Sequence, residues 1–382
     1  MKKIKPTLFQ KFNYTLNRLK LKRPIHKDFS FKVKPLDVSG PYLVVSNHLT
    51  DLDRYFQMLC FKNHMFFTFN ENLYRKNISE AKKEKKLNNI EISNAHSLAH
   101  YKDQILMYLR DGNNVCICPE LYTSFDGITA PIDPVVGEIV EEARCTLVTF
   151  RLTGAYFAKP AWTPELRKGL INASVINVYS VFDLRSLSVN QINTIIKDDL
   201  KEDAYARQCN SPLKYSGNNL AKGLENVFWK CPTCGEYDSY VSSGNDFNCT
   251  KCEARGSYTD IGIIHSNNRY KTVTDWMRWE EACLDRIGDS ELYFETPDVN
   301  LYEIKENHKL EILKKAALIA TCEHLKIDDY VFNHKEIEHL DLEDYSNTIV
   351  FSHNDHIYIL TSPNLRGIKY RRIYLKYHKD KK

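Results

Sequence analysis

Short apolar runs alternate with amphipathic stretches along residues 41–180. Tyr42, Leu43, Val44 and Val45 form a continuous apolar run, which predicts a short buried strand. After it, Leu52, Phe56, Leu59 and Cys60 recur at the steps of one helix face. Residues 98–109 predict a second amphipathic helix, ended by Asp111-Gly112. The run Val115-Cys116-Ile117-Cys118 reads as another buried strand, stopped by Pro119. Residues 135–145 are helical in pattern, with Val136, Ile139, Val140 and Ala143 apolar, and 147–150 form a strand. Residues 173–179 alternate apolar and polar, as a half-buried or edge strand does. Strands separated by helices of this length predict an α/β fold, a mostly parallel sheet flanked by helices. Residues 72–89 are polar and lysine-rich and predict a surface segment.

Further along, residues 187–208 read as one helix. Ser188 and Gln191 are spaced as a capping box, with Leu187 and Ile192 placed as its hydrophobic staple. Residues 270–290 predict a helix with Trp276, Trp279, Cys283 and Ile287 on one stripe. From Asn300 onward short alternating runs predict a β-rich region, a small barrel or curled sheet with a weak analogy to pleckstrin-homology-like domains. The expected organisation is a basic segment (1–34), an α/β domain (35–225), a cysteine module (226–262), a helical linker (263–295) and a β-rich accessory domain (296–382). No internal repeat or low-complexity segment interrupts it.

Composition narrows the class. An apolar fraction of 43% and an aromatic fraction of 12% over 382 residues describe a folded chain with a large core. The net charge of +4 is unevenly placed, because residues 1–34 hold eleven Lys and Arg against one acid, Asp28. Leu8, Phe9, Phe12, Tyr14, Leu16, Leu19 and Leu21 are interleaved with those cations. The segment reads either as a basic interfacial helix or as a solvated arm packed on the main domain. No apolar run reaches the ~18–20 residues of a membrane span. The first 30 residues or so lack the apolar stretch of a signal peptide. The expected location is cytoplasmic, soluble or peripheral on a membrane.

The candidate chemistry begins where the first strand hands over to its helix, at Ser46-Asn47-His48-Leu49-Thr50-Asp51-Leu52-Asp53. Carboxyl ends of strands are where α/β folds place reactive side chains. A histidine held by a carboxylate is the minimal general base. Residues five apart on a continuous helix point about 140° away from each other. His48 and Asp53 therefore meet only if His48 precedes the regular helix, and Asp51 is the rival partner. A second strand-end turn, Pro119-Glu120-Leu121-Tyr122-Thr123-Ser124, offers an acid and hydroxyls in an equivalent position.

Together these stretches resemble the glycerolipid acyltransferase family, that of the 1-acylglycerol-3-phosphate acyltransferases, over roughly residues 30–225. Asn47-His48 through Asp53 is similar to its N-H-x4-D motif. Cys118-Pro119-Glu120-Leu121-Tyr122-Thr123-Ser124, followed by Asp126-Gly127, is similar to its F-P-E-G-T-R-S block. Leu147-Val148-Thr149-Phe150-Arg151-Leu152-Thr153-Gly154 is similar to its last strand and turn. The resemblance is closest to a bacterial branch with an appended zinc module. It implies His48 as general base, Asp53 as its orienting acid, and Glu120, Thr123 and Ser124 as substrate-binding residues. It further implies acyl-CoA or acyl carrier protein as donor, a lysophospholipid as acceptor, and a peripheral position on a membrane surface. The chain departs from the family at Leu121, where a glycine is usual, and at Thr123, where an arginine is. Residues 90–94 stand where the family's second block ends in an arginine, and hold none. Arg54, Arg151, Lys159 and Arg167 are the candidate cations for a substrate phosphate. The alternative reading is a non-catalytic lipid- or protein-binding scaffold of the same descent.

Eleven cysteines without a secretion signal suggest thiols and metal, not a disulfide framework. Cys60, Cys116, Cys118 and Cys145 lie in apolar runs and read as small core residues. Cys231-Pro-Thr-Cys234 and Cys249-Thr-Lys-Cys252 are two C-x2-C pairs with 14 residues between them. Each pair presents two thiolates, the gap suits a β-hairpin, and four thiolates fit a closed tetrahedral structural zinc. Phe228, Trp229, Tyr237, Tyr240 and Phe247 are available to pack such a ribbon. Its mixed charge argues against nucleic acid as a partner. The basic run Lys369-Tyr370-Arg371-Arg372 and the tail 376–382 suit an anionic surface. His324, His334, His339, His353 and His356 have no metal spacing and read as surface or core residues.

Overall fold

The computed structural model describes residues 3–28, 30–33, 38, 40–50 and 52–378, and for 21–28 and 30–33 the backbone alone. Asp51 and the end of the basic tail lie outside the described residues. The chain divides into two compact units. The first holds residues 1–93, 97–160 and 168–215; the second holds 94–96, 161–167 and 216–382.

The helices of the first unit are α1 (Leu8–Asp28), α2 (Asp53–Cys60), α3 (Leu73–Lys76), α4 (Ile78–Lys86), α5 (Lys102–Arg110), α6 (Val135–Ala143), α7 (Ala155–Ala158), α8 (Val181–Leu184), α9 (Val189–Leu200) and α10 (Ala204–Asn210). Its strands are β1 (Ser30–Val33), β2 (Tyr42–Ser46), β3 (Phe66–Asn70), β4 (Ile90–Ile92), β5 (Val115–Ile117), β6 (Thr146–Thr153) and β7 (Leu170–Tyr179). They form one mixed sheet in the order β1-β7-β6-β2-β5-β3-β4. The strands β6, β2, β5, β3 and β4 run parallel, while β7 runs antiparallel to β6 and carries β1 on its far side. This is the mostly parallel, helix-flanked sheet that the apolar runs predict.

Alternation along the strands sets the two faces. Leu43, Val45, Val115, Ile117 and Leu147 pack with Ile105 and Leu109 of α5, Ile139 and Val140 of α6, and Ile192 and Ile196 of α9. On the other face Tyr42 meets Phe61, just past α2, and Phe61 meets Phe150 of β6. Completely buried side chains of this size each contribute about 1.5–3 kcal/mol to folding. They hold the strand ends in place.

Two sequence expectations change here. The helix expected over 187–208 is two helices. Its start carries the reciprocal Ser188–Gln191 capping box. It stops at Leu200 because the next residues leave the helix to pair with the 127–129 loop: Thr129 N–H donates to Glu202 O and Ala204 N–H to Gly127 O. Asp203 then caps α10. The polar stretch 72–89 is not simply surface. It forms α3 and α4, and buries Ala81 and Glu84.

The second unit contains two antiparallel sheets. The first is a ribbon of β8 (Tyr240–Ser243), β9 (Asp246–Cys249), β10 (Arg255–Tyr258) and β11 (Ile264–Ser266), in the order β11-β10-β9-β8. Helix α11 (Val273–Asp285) follows it, and α12 (Gly367–Tyr377) closes the chain. Between the helices lie β12 (Phe294–Lys305), β13 (Lys309–Ala320), β14 (His324–Ile327), β15 (Tyr330–Asn333), β16 (Ile337–Glu343), β17 (Thr348–His353) and β18 (His356–Thr361). They form a seven-stranded antiparallel sheet in the order β15-β14-β13-β12-β18-β17-β16.

The buried stripe of α11 is rotated from the expected one. Val273, Trp276, Met277, Glu280 and Leu284 are buried, whereas Trp279 and Cys283 are half-buried. Glu280 belongs to that stripe because its Oε1 accepts the Lys230 N–H at 2.9 Å, just before the first cysteine pair. The run 369–372 does not form a free basic surface. Lys369 and Arg371 are buried in α12, Lys369 paired with Asp238 and Arg371 with Asp341 at 2.7 Å.

Candidate active site and metal centre

Three neighbouring parallel strands, β6, β2 and β5, point their carboxyl ends the same way. Asn47 continues β2 by side chain: its Nδ2 donates to Leu152 O at 2.9 Å, and its Oδ1 accepts the Leu152 N–H at 2.8 Å. The asparagine amide thus imitates one more rung of the sheet and fixes where the chain leaves it. At the end of β6 the chain turns at Gly154 (φ +80°), where a Cβ would lie 2.4 Å from Leu170 O. Only glycine fits there.

His48 follows Asn47, and regular helix begins at Asp53, so His48 lies before the helix. Its Nδ1 is 3.1 Å from Asp53 Oδ2. That carboxylate is anchored by the turn itself. Oδ2 accepts the N–H groups of Leu49 at 2.7 Å and Thr50 at 3.0 Å, and Oδ1 accepts the Thr50 hydroxyl at 3.0 Å. Four donors around one buried carboxylate leave it little freedom, so the imidazole is oriented with Nδ1 toward Asp53 and Nε2 outward. The His48 side chain is 40% exposed, against 3% for Asp53. A reactant can reach the ring.

Glu120 arrives from the neighbouring strand. After β5 the backbone pairs antiparallel with 131–133, through Leu121 N–H to Pro131 O and Asp133 N–H to Pro119 O. This ribbon aims Glu120 back at the first turn, where its Oε2 accepts the His48 N–H at 3.0 Å. Its Oε1 is buried without a hydrogen-bond partner. Burial pushes the Glu120 carboxyl up to about 8, although the charge and N–H of His48 oppose the rise. Burial disfavours the His48 imidazolium, but the hydrogen bonds to Asp53 and to Cys118 outweigh it and hold its pKa well above 6.5.

Cys118 is the residue whose position differs most from the sequence reading. It is not a core cysteine but half-buried, with Gln57 Nε2 3.9 Å from its Sγ. Its apolar run hid it. The signal available was register, since Val45 pairs with Ile117 in adjacent parallel strands, which puts the residues after each side by side.

The other candidate residues are placed as follows. Ser124 is buried in its own turn, accepting the Gly127 N–H and contacting Asp126 at 3.2 Å. Thr123 is half-buried in the same turn. Arg54 is bound to Glu84 at 2.6 Å and lies over the Phe67 ring. Arg151 donates to Lys201 O at 3.0 Å. Arg167 belongs to the second unit, buried between Trp162 and Tyr258 with Nη2 on Leu220 O at 2.6 Å. Each of these three arginines is held by protein groups, and Arg167 is not in the unit that holds His48.

In the second unit Cys231, Cys234, Cys249 and Cys252 converge, with their sulfur atoms within 4.8 Å of one another. Cys231 and Cys252 are 3.8 Å apart, as are Cys234 and Cys249. A zinc–sulfur bond of about 2.3 Å gives a tetrahedron with edges of about 3.8 Å, so the four thiols fit the ion. The first knuckle turns at Gly235 (φ +82°), whose N–H donates to Cys231 O at 2.9 Å. In the second, Lys251 N–H donates to Cys249 Sγ at 3.4 Å. Phe228 stacks on Trp276 at 4.1 Å and meets Tyr240 and Phe247, giving the ribbon a small aromatic core. Such a site would hold its metal for structure, with no position left for substrate.

Among the described residues no helix is long and apolar enough to cross a membrane. No family model matches the chain, and no curated protein matches it. Among solved structures, it is similar to the 1-acyl-sn-glycerophosphate (LPA) acyltransferase PlsC from Thermotoga maritima, at 14% identity and a TM-score of 0.41, over 50% of this chain and 78% of that one.

Proposed function

We propose that the chain transfers an acyl group from acyl-CoA or acyl carrier protein to the hydroxyl of a glycerolipid such as 1-acylglycerol-3-phosphate. The observation that carries this reading is the 3.1 Å contact between His48 Nδ1 and the anchored Asp53 carboxylate, on a ring still open to solvent. The motif resemblance of the three strand-end stretches supplies the reaction class. His48 Nε2 takes the proton of the attacking group, Asp53 steadies the imidazolium, and the leaving thiolate receives the proton back. Glu120 ties the second turn to the first through the His48 N–H.

The acceptor's phosphate has the least support in this reading, because Arg54, Arg151 and Arg167 already have partners. A phosphate-free acceptor is therefore the comparison to make. Exposed Leu8, Phe9, Phe12 and Leu19 on the basic helix α1 support a peripheral position on a membrane. The four-cysteine ribbon is read as a zinc-braced accessory element.

The test is release of free thiol from acyl-CoA by the purified chain, with lysophosphatidic acid and with monoacylglycerol as acceptors. Acceptor-dependent release that disappears in His48→Ala is expected. No release with either acceptor, from protein that still binds the lipid, would instead favour the non-catalytic scaffold.

A further inference from the structure

The four thiols of the ribbon are not equivalent. Cys231 and Cys249 are buried, Cys252 is half-buried and Cys234 is exposed. Four thiolates around one divalent zinc leave an excess of negative charge. Water can offset that charge at an exposed ligand but not at the buried pair, where an uncompensated charge is costly. Each buried sulfur has a hydroxyl instead. Tyr240 Oη lies 3.3 Å from Cys231 Sγ, and Ser239 Oγ lies 3.3 Å from Cys249 Sγ. Tyr240 and Ser239 are each only 2% exposed, so solvent does not compete for these contacts. A metal-bound thiolate has no proton to give, so the hydroxyl is the donor in both. Ser239 has a second acceptor, Glu236 O at 3.4 Å. A long contact to a neutral carbonyl is weaker than one to a charged sulfur.

These two neighbouring residues serve both knuckles because of where they lie. Tyr240 opens β8 and pairs with Cys249 across the hairpin, and Thr250 N–H donates to Ser239 O at 2.7 Å. Their backbone is thus tied to the second knuckle. The Tyr240 ring crosses to the first, held edge-on by Trp276 at 5.4 Å and Phe247 at 5.7 Å. We propose that Ser239 and Tyr240 form the outer shell of the cysteine centre, their hydroxyls donating to Cys249 and Cys231 and tightening its hold on the metal. This rests on the reading of the four cysteines as a zinc site and adds two positioning residues to it. Such donors spread the charge of a ligand and fix its direction, and their loss typically costs about 10–100-fold in metal affinity. The C-x2-C spacing does not reveal them, because neither residue lies within a knuckle.

The test is competition for zinc between the full chain and a chelating dye. Tyr240→Phe keeps the buried ring and removes only the hydroxyl, and Ser239→Ala does the same for the serine. Each should hold zinc about tenfold more weakly than the native chain. Tyr237→Phe removes a hydroxyl from the exposed ring stacked on Trp229, and should bind as the native chain does. Cobalt in place of zinc reads the sulfurs directly. A hydrogen bond lowers the energy of the sulfur lone pairs, so the sulfur-to-cobalt charge-transfer band should move to longer wavelength in Tyr240→Phe. Native-like affinity in either variant strikes that hydroxyl from the shell and leaves the centre standing. A looser ion with an unmoved cobalt band, or an equal loss in Tyr237→Phe, would place the effect in ribbon packing and overturn the proposal. A native chain that takes up neither zinc nor cobalt overturns centre and shell together.

Discussion

The two side-chain clusters of this chain are assembled in opposite ways. The four cysteines come from a single stretch of 22 residues, 231–252, and meet because two tight knuckles flank a hairpin. The cluster around His48 draws on two turns about 70 residues apart, which meet because β2 and β5 are neighbours in a parallel sheet. In the ribbon the fold is small and the metal would supply much of its stability. In the sheet the fold is large, and the site rests on a core that needs nothing from it. Loss of a cysteine should therefore damage structure, and loss of His48 should damage only chemistry.

The largest effect expected is from breaking the cysteine cluster. Cys231→Ser, or chelation, should take bound zinc from one ion per chain to none and unpack the Phe228–Trp276 stack, which near-ultraviolet circular dichroism and tryptophan fluorescence would report. The loss in stability of the ribbon is on the order of several kcal/mol, because metal binding and folding are one event in such modules. A chain that stays metal-free with its ribbon unchanged would erase the contrast.

Next comes His48→Ala, with transfer falling by about 10²–10⁴-fold and the far-ultraviolet spectrum unchanged. A comparable loss of secondary structure would show that the imidazole belongs to the fold after all. The pH profile sharpens this. Transfer needs neutral His48, whose pKa lies above 6.5, so the rate should rise with pH through a midpoint above 6.5. Asp53→Asn removes the charge that favours the imidazolium, so the midpoint should move to lower pH while the rate drops.

The smallest effect expected is at Glu120. Its carboxyl titrates at about 8 in the folded chain and near 4.5 ordinarily. Between those values the folded state binds more protons than the unfolded one, so stability falls as pH rises through the window. Glu120→Gln keeps an oxygen for the His48 N–H and removes the charge. Its melting temperature should match the native chain at about pH 5 and exceed it at about pH 9. A difference of the opposite sign would mean that Glu120 is stabilised as an anion.

Much of the architecture was legible in the chain because it is written in short-range periods. The apolar runs 42–45, 115–118 and 147–150 each predict a strand of the sheet, and Ser188 with Gln191 marks the start of α9. The break at 201–203 was not legible, because it comes from backbone pairing with residues 127–129 and not from a local breaker. The burial of Lys369 and Arg371 was hidden for a similar reason: their partners, Asp238 and Asp341, are 131 and 30 residues away.

By itself the sequence determined which segments are strands and helices, that two cysteine pairs can close on one ion, and that a histidine and an acid stand at a strand-to-helix turn. These follow from spacing, which fixes the direction of a side chain within one element. Only the tertiary structure decided that Asp53 is anchored by Leu49 and Thr50, that Glu120 reaches the His48 backbone, that three candidate arginines are already engaged, and that Cys118 is half-buried beside Gln57 and not part of the core. These depend on which strands lie side by side and in what register. In a parallel sheet that is set by long crossovers and core packing, not by any pattern within a strand.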